Sequence, residues 1–218
     1  MKLQLALDRM SIDEAIAMAS EVEDHIDWIE VGTSLIKEFG VNSIRAISDQ
    51  FPTKTIVADI KVNDNAAYEA NLCFSAGADV LTVMGSAPAS TIETCLEVAK
   101  TSGKDVMIDL LNLTSSQKEE LLTYKEAIFC EHVSKDEQEK NGEVNHFTSI
   151  HLLDGRRLAV AGGITENSFE ALKEIQPEVV IIGSAITKAR EPEKAAGNIR
   201  KISQHEEVLH ESNEYDSY

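Results

Sequence analysis

Basic charge is scarce in this chain. Against 38 Asp and Glu stand 20 Lys and Arg, which leaves a formal charge of −18 over 218 residues. Nucleic-acid binding needs a basic face that exchanges counterions with phosphates, and an anionic membrane surface asks for the same, so both are disfavoured. An anionic substrate must then be held by local backbone donors, because the overall field does not attract it. Proline and glycine are sparse too, at 4 and 11. No Ser/Gly/Pro-rich stretch interrupts the periodic segments, nothing reads as a linker, and one domain is expected, since α/β barrels run this long undivided. Cysteine is limited to Cys73, Cys95 and Cys130, an odd, scattered set with no CxxC pair. That suits reduced thiols packed as small core residues in a cytosol. No apolar run approaches the roughly 20 residues that span a bilayer. The opening Met1 to Leu7 is broken too soon by Asp8 to be a secretory core segment, so a cytoplasmic setting is expected.

What is present is an alternation of short apolar runs with longer amphipathic segments, repeated about eight times. Strands are expected at Leu3 to Leu7, Ile26 to Val31, Thr55 to Asp59, Val80 to Val83, Val106 to Asp109, Ala127 to Cys130, Leu158 to Ala161 and Val179 to Ile182. Ser11-Ile12-Asp13-Glu14 is a capping box that opens the first helix, and Gly77 is a fitting stop for a helix from Ala66. One helix is expected from the Gly32-Thr33-Ser34 turn to about Ile47, and one from about Ala185 into the acidic end. The rhythm predicts βα units around a parallel sheet: a single-domain (β/α)8 TIM barrel over residues 1–202, with a doubly wound open sheet as the alternative. Residues 203–218 carry Glu206, Glu207, Glu211, Glu214 and Asp216 with no Lys or Arg, and read as a frayed helix end and a solvated acidic tail. The charged stretch Lys135 to Asn145 reads as a loop with a short helix.

The charged residues choose one end of the strands. Asp8, Glu30, Asp59, Lys61, Asp109 and His132 all fall at or just after a strand's C-terminal end, where barrel enzymes place their sites. Asp59 and Lys61, two apart, share a face if both lie on the strand, and Asp64 follows at the mouth of the turn. Two carboxylates and an amine held in a cleft can bind a hard cation, stabilise a developing anion and move protons. Taken alone, the stretch Asp59 to Asp64 is better read as a surface salt-bridge cluster capping a helix, since charged triplets near helix starts are common; the repetition at strand ends favours a site. Gly162-Gly163 after the seventh strand and Gly183-Ser184 after the eighth bring backbone N–H groups to the usual phosphate position of barrels.

With those residues placed, the chain resembles the orotidine 5′-phosphate decarboxylase suprafamily from Leu3 to Ile202. The resemblance rests on Leu5-Ala6-Leu7-Asp8, Glu30-Val31-Gly32-Thr33, the Asp-x-Lys-x-x-Asp motif of Asp59, Lys61 and Asp64, Ala76-Gly77-Ala78-Asp79, Ala161-Gly162-Gly163-Ile164 and Ile182-Gly183-Ser184-Ala185-Ile186-Thr187. Gln4 to Asp8, Asp64 to Ala70 and Thr82-Val83-Met84-Gly85 are similar to its 3-hexulose-6-phosphate synthase group. The resemblance implies a ribulose-phosphate-binding barrel and a Mg²⁺-dependent aldolase. That enzyme joins formaldehyde to D-ribulose 5-phosphate, giving 3-hexulose 6-phosphate through a 1,2-enediolate, in a homodimer with sites at the interface. It implies Glu30 and Asp59 as metal ligands, Lys61 as charge partner of the intermediate and His132 as the proton-transfer residue. Asp8 would orient Lys61 or the substrate hydroxyls, Asp109 would be an acidic site residue, and Asp64 would be donated across the dimer. The backbone at Gly162, Gly163, Gly183 and Ser184 would hold the phosphate. Two departures are visible. Ser34 stands where the synthases often have Pro, and His132 with a cation at Lys135 is similar to 3-keto-L-gulonate 6-phosphate decarboxylase, whose chemistry uses the same enediolate. That decarboxylase, and a non-catalytic sugar-phosphate-binding barrel, are the alternatives.

Overall fold

The structure, a computed structural model, describes residues 1–133, 153 and 155–214, without the side chains of residues 170 and 205–214. Eight parallel strands close into a barrel in chain order: β1 Lys2–Leu7, β2 Trp28–Val31, β3 Thr55–Val62, β4 Val80–Met84, β5 Asp105–Asp109, β6 Ile128–His132, β7 Arg157–Ala161 and β8 Val179–Ile182. Leu5 of β1 is in register with Ile29 on one side and Ile182 on the other, which closes the ring. Around it lie helices α1 Ile12–Val22, α2 Thr33–Phe39, α3 Val41–Gln50, α4 Ala66–Ser75, α5 Ala89–Ser102, α6 Ser115–Leu121, α7 Phe169–Ile175, α8 Ser184–Thr187 and α9 Pro192–Glu214. The expected single-domain TIM barrel is what forms. No helix among the described residues is long and apolar enough to cross a membrane.

Strand alternation divides the apolar residues into two cores. Leu3, Leu5, Leu7, Ile29, Val31, Ile56, Leu81, Ile108 and Phe129 face outward and pack with the helices. Trp28, Val57, Val80, Met107, Ile128, Cys130, Ala159 and Val179 fill the barrel. Two residues further along several of these strands the same inward face turns polar: Trp28 is followed by Glu30, Val57 by Asp59, Val80 by Thr82, Met107 by Asp109 and Cys130 by His132. Successive layers of the barrel thus run from an apolar floor to a charged mouth.

Both Ser11 and Thr114 cap their helices reciprocally with the residue three further on, Glu14 and Gln117. Two helices differ from expectation because the chain carries a breaker that the apolar period runs across. Gly40, at φ 63° and ψ −160°, splits the segment after β2 into α2 and α3. Pro192 starts α9 afresh at a position where a missing N–H does no harm, leaving α8 as a separate turn. α9 continues through the first part of 203–218. The expected loop from Lys135 to Asn145 lies outside the described residues. β3 is longer than expected, reaching Val62 with a register shift against β4 between Ala58 and Val62.

Acidic residues tie down the opposite, N-terminal end of the barrel. Asp27, just before β2, accepts from the Leu3 N–H at 2.8 Å and from both ends of the Arg200 guanidinium at 2.8 and 2.9 Å. Asp79, just before β4, accepts from the Ile56 N–H at 2.9 Å and from Lys104 at 2.7 Å. Arg157 joins Asp105 to Glu178 across β5, β7 and the turn before β8. Structure is secured at this end, which leaves the other to chemistry.

Candidate active site

At the C-terminal mouth a line of charged contacts crosses three strands. Asp59, buried at the end of its inward run, accepts through Oδ1 from Lys61 Nζ at 3.0 Å and Thr82 Oγ1 at 2.9 Å, and through Oδ2 from Thr33 Oγ1 at 2.7 Å. Lys61 Nζ also donates to Asp109 Oδ2 on β5 at 2.6 Å. The same oxygen lies 3.0 Å from His132 Nδ1 on β6, while Asp109 Oδ1 accepts from the Leu111 N–H at 2.9 Å. Asp59, Lys61, Asp109 and His132 are therefore one connected set.

Lys61 does not reach it by simple alternation along a flat strand. Its backbone sits in the left-handed region at φ 54°, inside the β3 irregularity, and its N–H is taken by Thr82 Oγ1 at 2.9 Å. Thr82 thus uses its hydroxyl twice, accepting from the Lys61 backbone and donating to Asp59.

The electrostatics follow from burial among opposite charges. Burial opposes the Lys61 ammonium, but Asp59 and Asp109 outweigh it and hold its pKa above the ordinary lysine range. Burial likewise opposes the Asp109 carboxylate; His132 and Lys61 outweigh it and hold the carboxyl well below its usual range. An ionised Asp109 can only accept, so His132 carries its proton on Nδ1 and offers Nε2 for proton exchange. Glu30 stands differently. Buried on β2 and facing the charge of Asp59, it is pushed up to about 8, although Lys61 and a hydrogen bond from Gln4 Nε2 pull the other way. A pair of buried carboxylates, one of them destabilised as an anion, is an oxygen donor set that suits a hard cation. Among the described residues no group of three or more His, Cys, Asp and Glu is placed to hold a metal ion, so a cation at Glu30 and Asp59 would have to take its other ligands from water and substrate.

The remaining expected site residues are placed less centrally. Asp8 is exposed at the end of β1 and accepts from the backbone N–H and hydroxyl of Ser34, whose Oγ in turn accepts from the Arg9 N–H at 2.7 Å. A proline at 34 could supply none of these bonds. Room for the Asp8 carboxylate exists because residue 32 is glycine: a Cβ there would lie 2.4 Å from Asp8 Cγ. The same Cβ would meet the Leu7 carbonyl oxygen at 2.5 Å, so Gly32→Ala is expected to displace both Asp8 and the end of β1 and to lower the melting temperature, which calorimetry checks. Asp64 is exposed and accepts from its neighbour Asn65 N–H at 2.7 Å; within one chain it does not join the charged line. Gly162 and Gly163 follow β7 at φ 96° and 70°, and a Cβ on Gly162 would meet the Val133 carbonyl oxygen at 2.4 Å. Gly183 and Ser184 open α8 after β8, where the Ile186 and Thr187 N–H groups bond the Gly183 oxygen. Lys135 lies outside the described residues.

Three residues to which sequence reasoning assigned no role proved to hold the site: Gln4, Thr33 and Thr82. Each stands in a stretch that carries the family resemblance, and the inward parity of Gln4 and Thr82 is a usable signal.

The family model for the "Orotidine 5′-phosphate decarboxylase / HUMPS family" matches residues 1–199. The chain belongs to that family. A 3-hexulose-6-phosphate synthase from Mycobacterium gastri is 36% identical over 206 residues, covering 92% of this chain and 98% of that protein. The solved structure of 3-hexulose-6-phosphate synthase from Salmonella typhimurium superposes with a TM-score of 0.88 at 36% identity, over 94% of this chain and 100% of the other. A 3-keto-L-gulonate-6-phosphate decarboxylase from Vibrio cholerae superposes with a TM-score of 0.83 at 27% identity, over 94% and 97%. This member of the orotidine 5′-phosphate decarboxylase / HUMPS family thus shares its whole barrel with enzymes named for sugar phosphates.

Proposed function

We propose that this protein is an aldehyde-lyase that condenses formaldehyde with D-ribulose 5-phosphate to give 3-hexulose 6-phosphate. The observation that carries the reading is the continuous set Asp59, Lys61, Asp109 and His132 beside Glu30, in a chain 36% identical to a synthase over 206 residues. Glu30 and Asp59 would hold Mg²⁺, which when bound supplies positive charge against the two oxygens of the 1,2-enediolate.

His132 Nε2 takes the proton from C1 of the ketose. The electron pair left at C1 forms the new bond to the formaldehyde carbon, and the formaldehyde oxygen takes up a proton, so no oxidant or reductant enters. Lys61 stays protonated between Asp59 and Asp109, which rules it out as a Schiff-base nucleophile and suits it to offset the developing negative charge. Asp109 fixes both the Lys61 ammonium and the His132 ring. Asp8, held by Ser34 at the rim, faces the sugar hydroxyls. Backbone at Gly162, Gly163, Gly183 and Ser184 receives the phosphate.

The enzyme works as a homodimer in the cytosol, where the buried thiols of Cys73, Cys95 and Cys130 stay reduced. Asp64 serves the second copy; it is exposed one turn before Tyr68, which at 64% is the large apolar side chain left exposed among the described residues.

Likeness to the Vibrio cholerae enzyme favours decarboxylation of 3-keto-L-gulonate 6-phosphate as a second reading. Incubation with ribulose 5-phosphate, formaldehyde and Mg²⁺, with and without EDTA, distinguishes the two when CO₂ release from 3-keto-L-gulonate 6-phosphate is followed in parallel. Formaldehyde consumption that EDTA stops is the expected result. CO₂ release alone would replace the synthase by the decarboxylase, and neither reaction would leave a sugar-phosphate-binding barrel.

A further inference from the structure

Gln4 occupies a place inside the barrel where an apolar side chain would serve the core better. It points inward from β1, is 1% exposed, and is in register with Trp28 of β2 at the apolar floor. Its Nε2 donates to Glu30 Oε2, and its Oε1 is buried without a hydrogen-bond partner among the described residues. A buried acceptor left unpaired weighs against folding, and Leu or Met would occupy similar volume without it. An amide kept at such a position is explained by its donor end, and that end touches Glu30.

We propose that Gln4 is a positioning residue for cation binding: its N–H ties down Oε2 of Glu30 from the barrel floor and leaves Oε1 as the oxygen presented to the ion. This rests on the reading of Glu30 as a cation ligand. The ligands of a metal site keep their orientation through such outer hydrogen bonds, whose removal typically weakens binding about 10- to 100-fold. The site asks for one more than usual. Glu30 and Asp59 are its only assigned protein ligands, so a wrong rotamer at either halves the donor set.

The test uses Mn²⁺ as the probe and needs no turnover. Mn²⁺ titrations of the full-length protein without substrate, read by the electron paramagnetic resonance of the free ion, are run on the wild type, Gln4→Leu, Gln4→Met and Glu30→Gln. Melting curves of the metal-free proteins accompany them. Expected are Mn²⁺ dissociation constants raised about 10- to 100-fold in both Gln4 variants, with melting temperatures equal to or above the wild type's. Binding within twofold of wild type in Gln4→Met, while Glu30→Gln loses it, would overturn the positioning role and keep the cation site. A fall in melting temperature in both Gln4 variants would make Gln4 structural and overturn it as well. No Mn²⁺ binding by the wild type would remove the cation reading and the inference together.

Discussion

Asp59→Asn is expected to lower Mg²⁺-dependent turnover about 10³-fold or more, the loss that ~4 kcal/mol of transition-state stabilisation represents, while the melting temperature hardly changes. The amide keeps the carboxylate's shape, and its carbonyl end can go on accepting from Lys61 and Thr82. Its NH₂ then replaces Oδ2 opposite Thr33. That is tolerable because Thr33 Oγ1 lies 2.7 Å both from Oδ2 and from the carbonyl oxygen of Asp59 itself. The hydroxyl can turn its proton to the carbonyl and accept from the amide. Loss of the Asp59 charge also removes a repulsion that raises Glu30. Steady-state kinetics with added Mg²⁺, beside calorimetry, checks the pair of outcomes. Retention of a tenth of wild-type turnover would refute the ligand role.

Lys61→Ala is expected to be as inactive and far less stable. It strips the cation from between two carboxylates whose side chains are 10% and 3% exposed, and breaking a buried pair from one side costs about 3–5 kcal/mol. The pH dependence carries the sign. Lys61 has a native pKa above its unfolded value, so its contribution is fully present below about 10.4 and is constant from pH 5 to 9. Asp109 has a native pKa below its unfolded value. Its contribution is present above about pH 4 and is lost as acid protonates the native carboxyl. Without Lys61, Asp109 loses one cause of its depression and protonates at higher pH. The stability gap between variant and wild type should therefore be constant from pH 8 to about pH 5 and narrow below about pH 4, where the wild type has the larger Asp109 contribution to lose, in urea denaturation carried to pH 2. A gap unchanged with pH would show that Lys61 acts by packing alone.

Asp59→Asn and Lys61→Ala fail for different reasons, and the contrast bears on what could be read from the chain. Strand runs, the Ser11 capping box and the strand-end carboxylates were legible because each is a local pattern of two to eight residues. The barrel followed from their repetition. Hydrogen-bond partners were not legible. Thr33 and Thr82 reach Asp59 from 26 and 23 residues away, and Gln4 reaches Glu30 from 26, distances set by the closing of the sheet. Gly40 and Pro192 were in plain view as breakers, yet the apolar period continues past both, and periodicity alone joins what they separate. Asp8 and Asp64, grouped with the site by position, keep partners outside it, Ser34 from across β2 and the neighbouring Asn65. Burial alone also misleads about Lys61, because its amine enters the cleft from a backbone conformation that no spacing rule anticipates.

That conformation has a consequence for descent. A left-handed backbone disfavours an ordinary L side chain by ~1–2 kcal/mol and is most readily accepted by Gly, with Asn next. Random substitution at position 61 would therefore drift toward those residues wherever the amine ceased to matter. A lysine held at φ 54°, two positions beyond an inward carboxylate, thus keeps a backbone conformation that its own side chain disfavours.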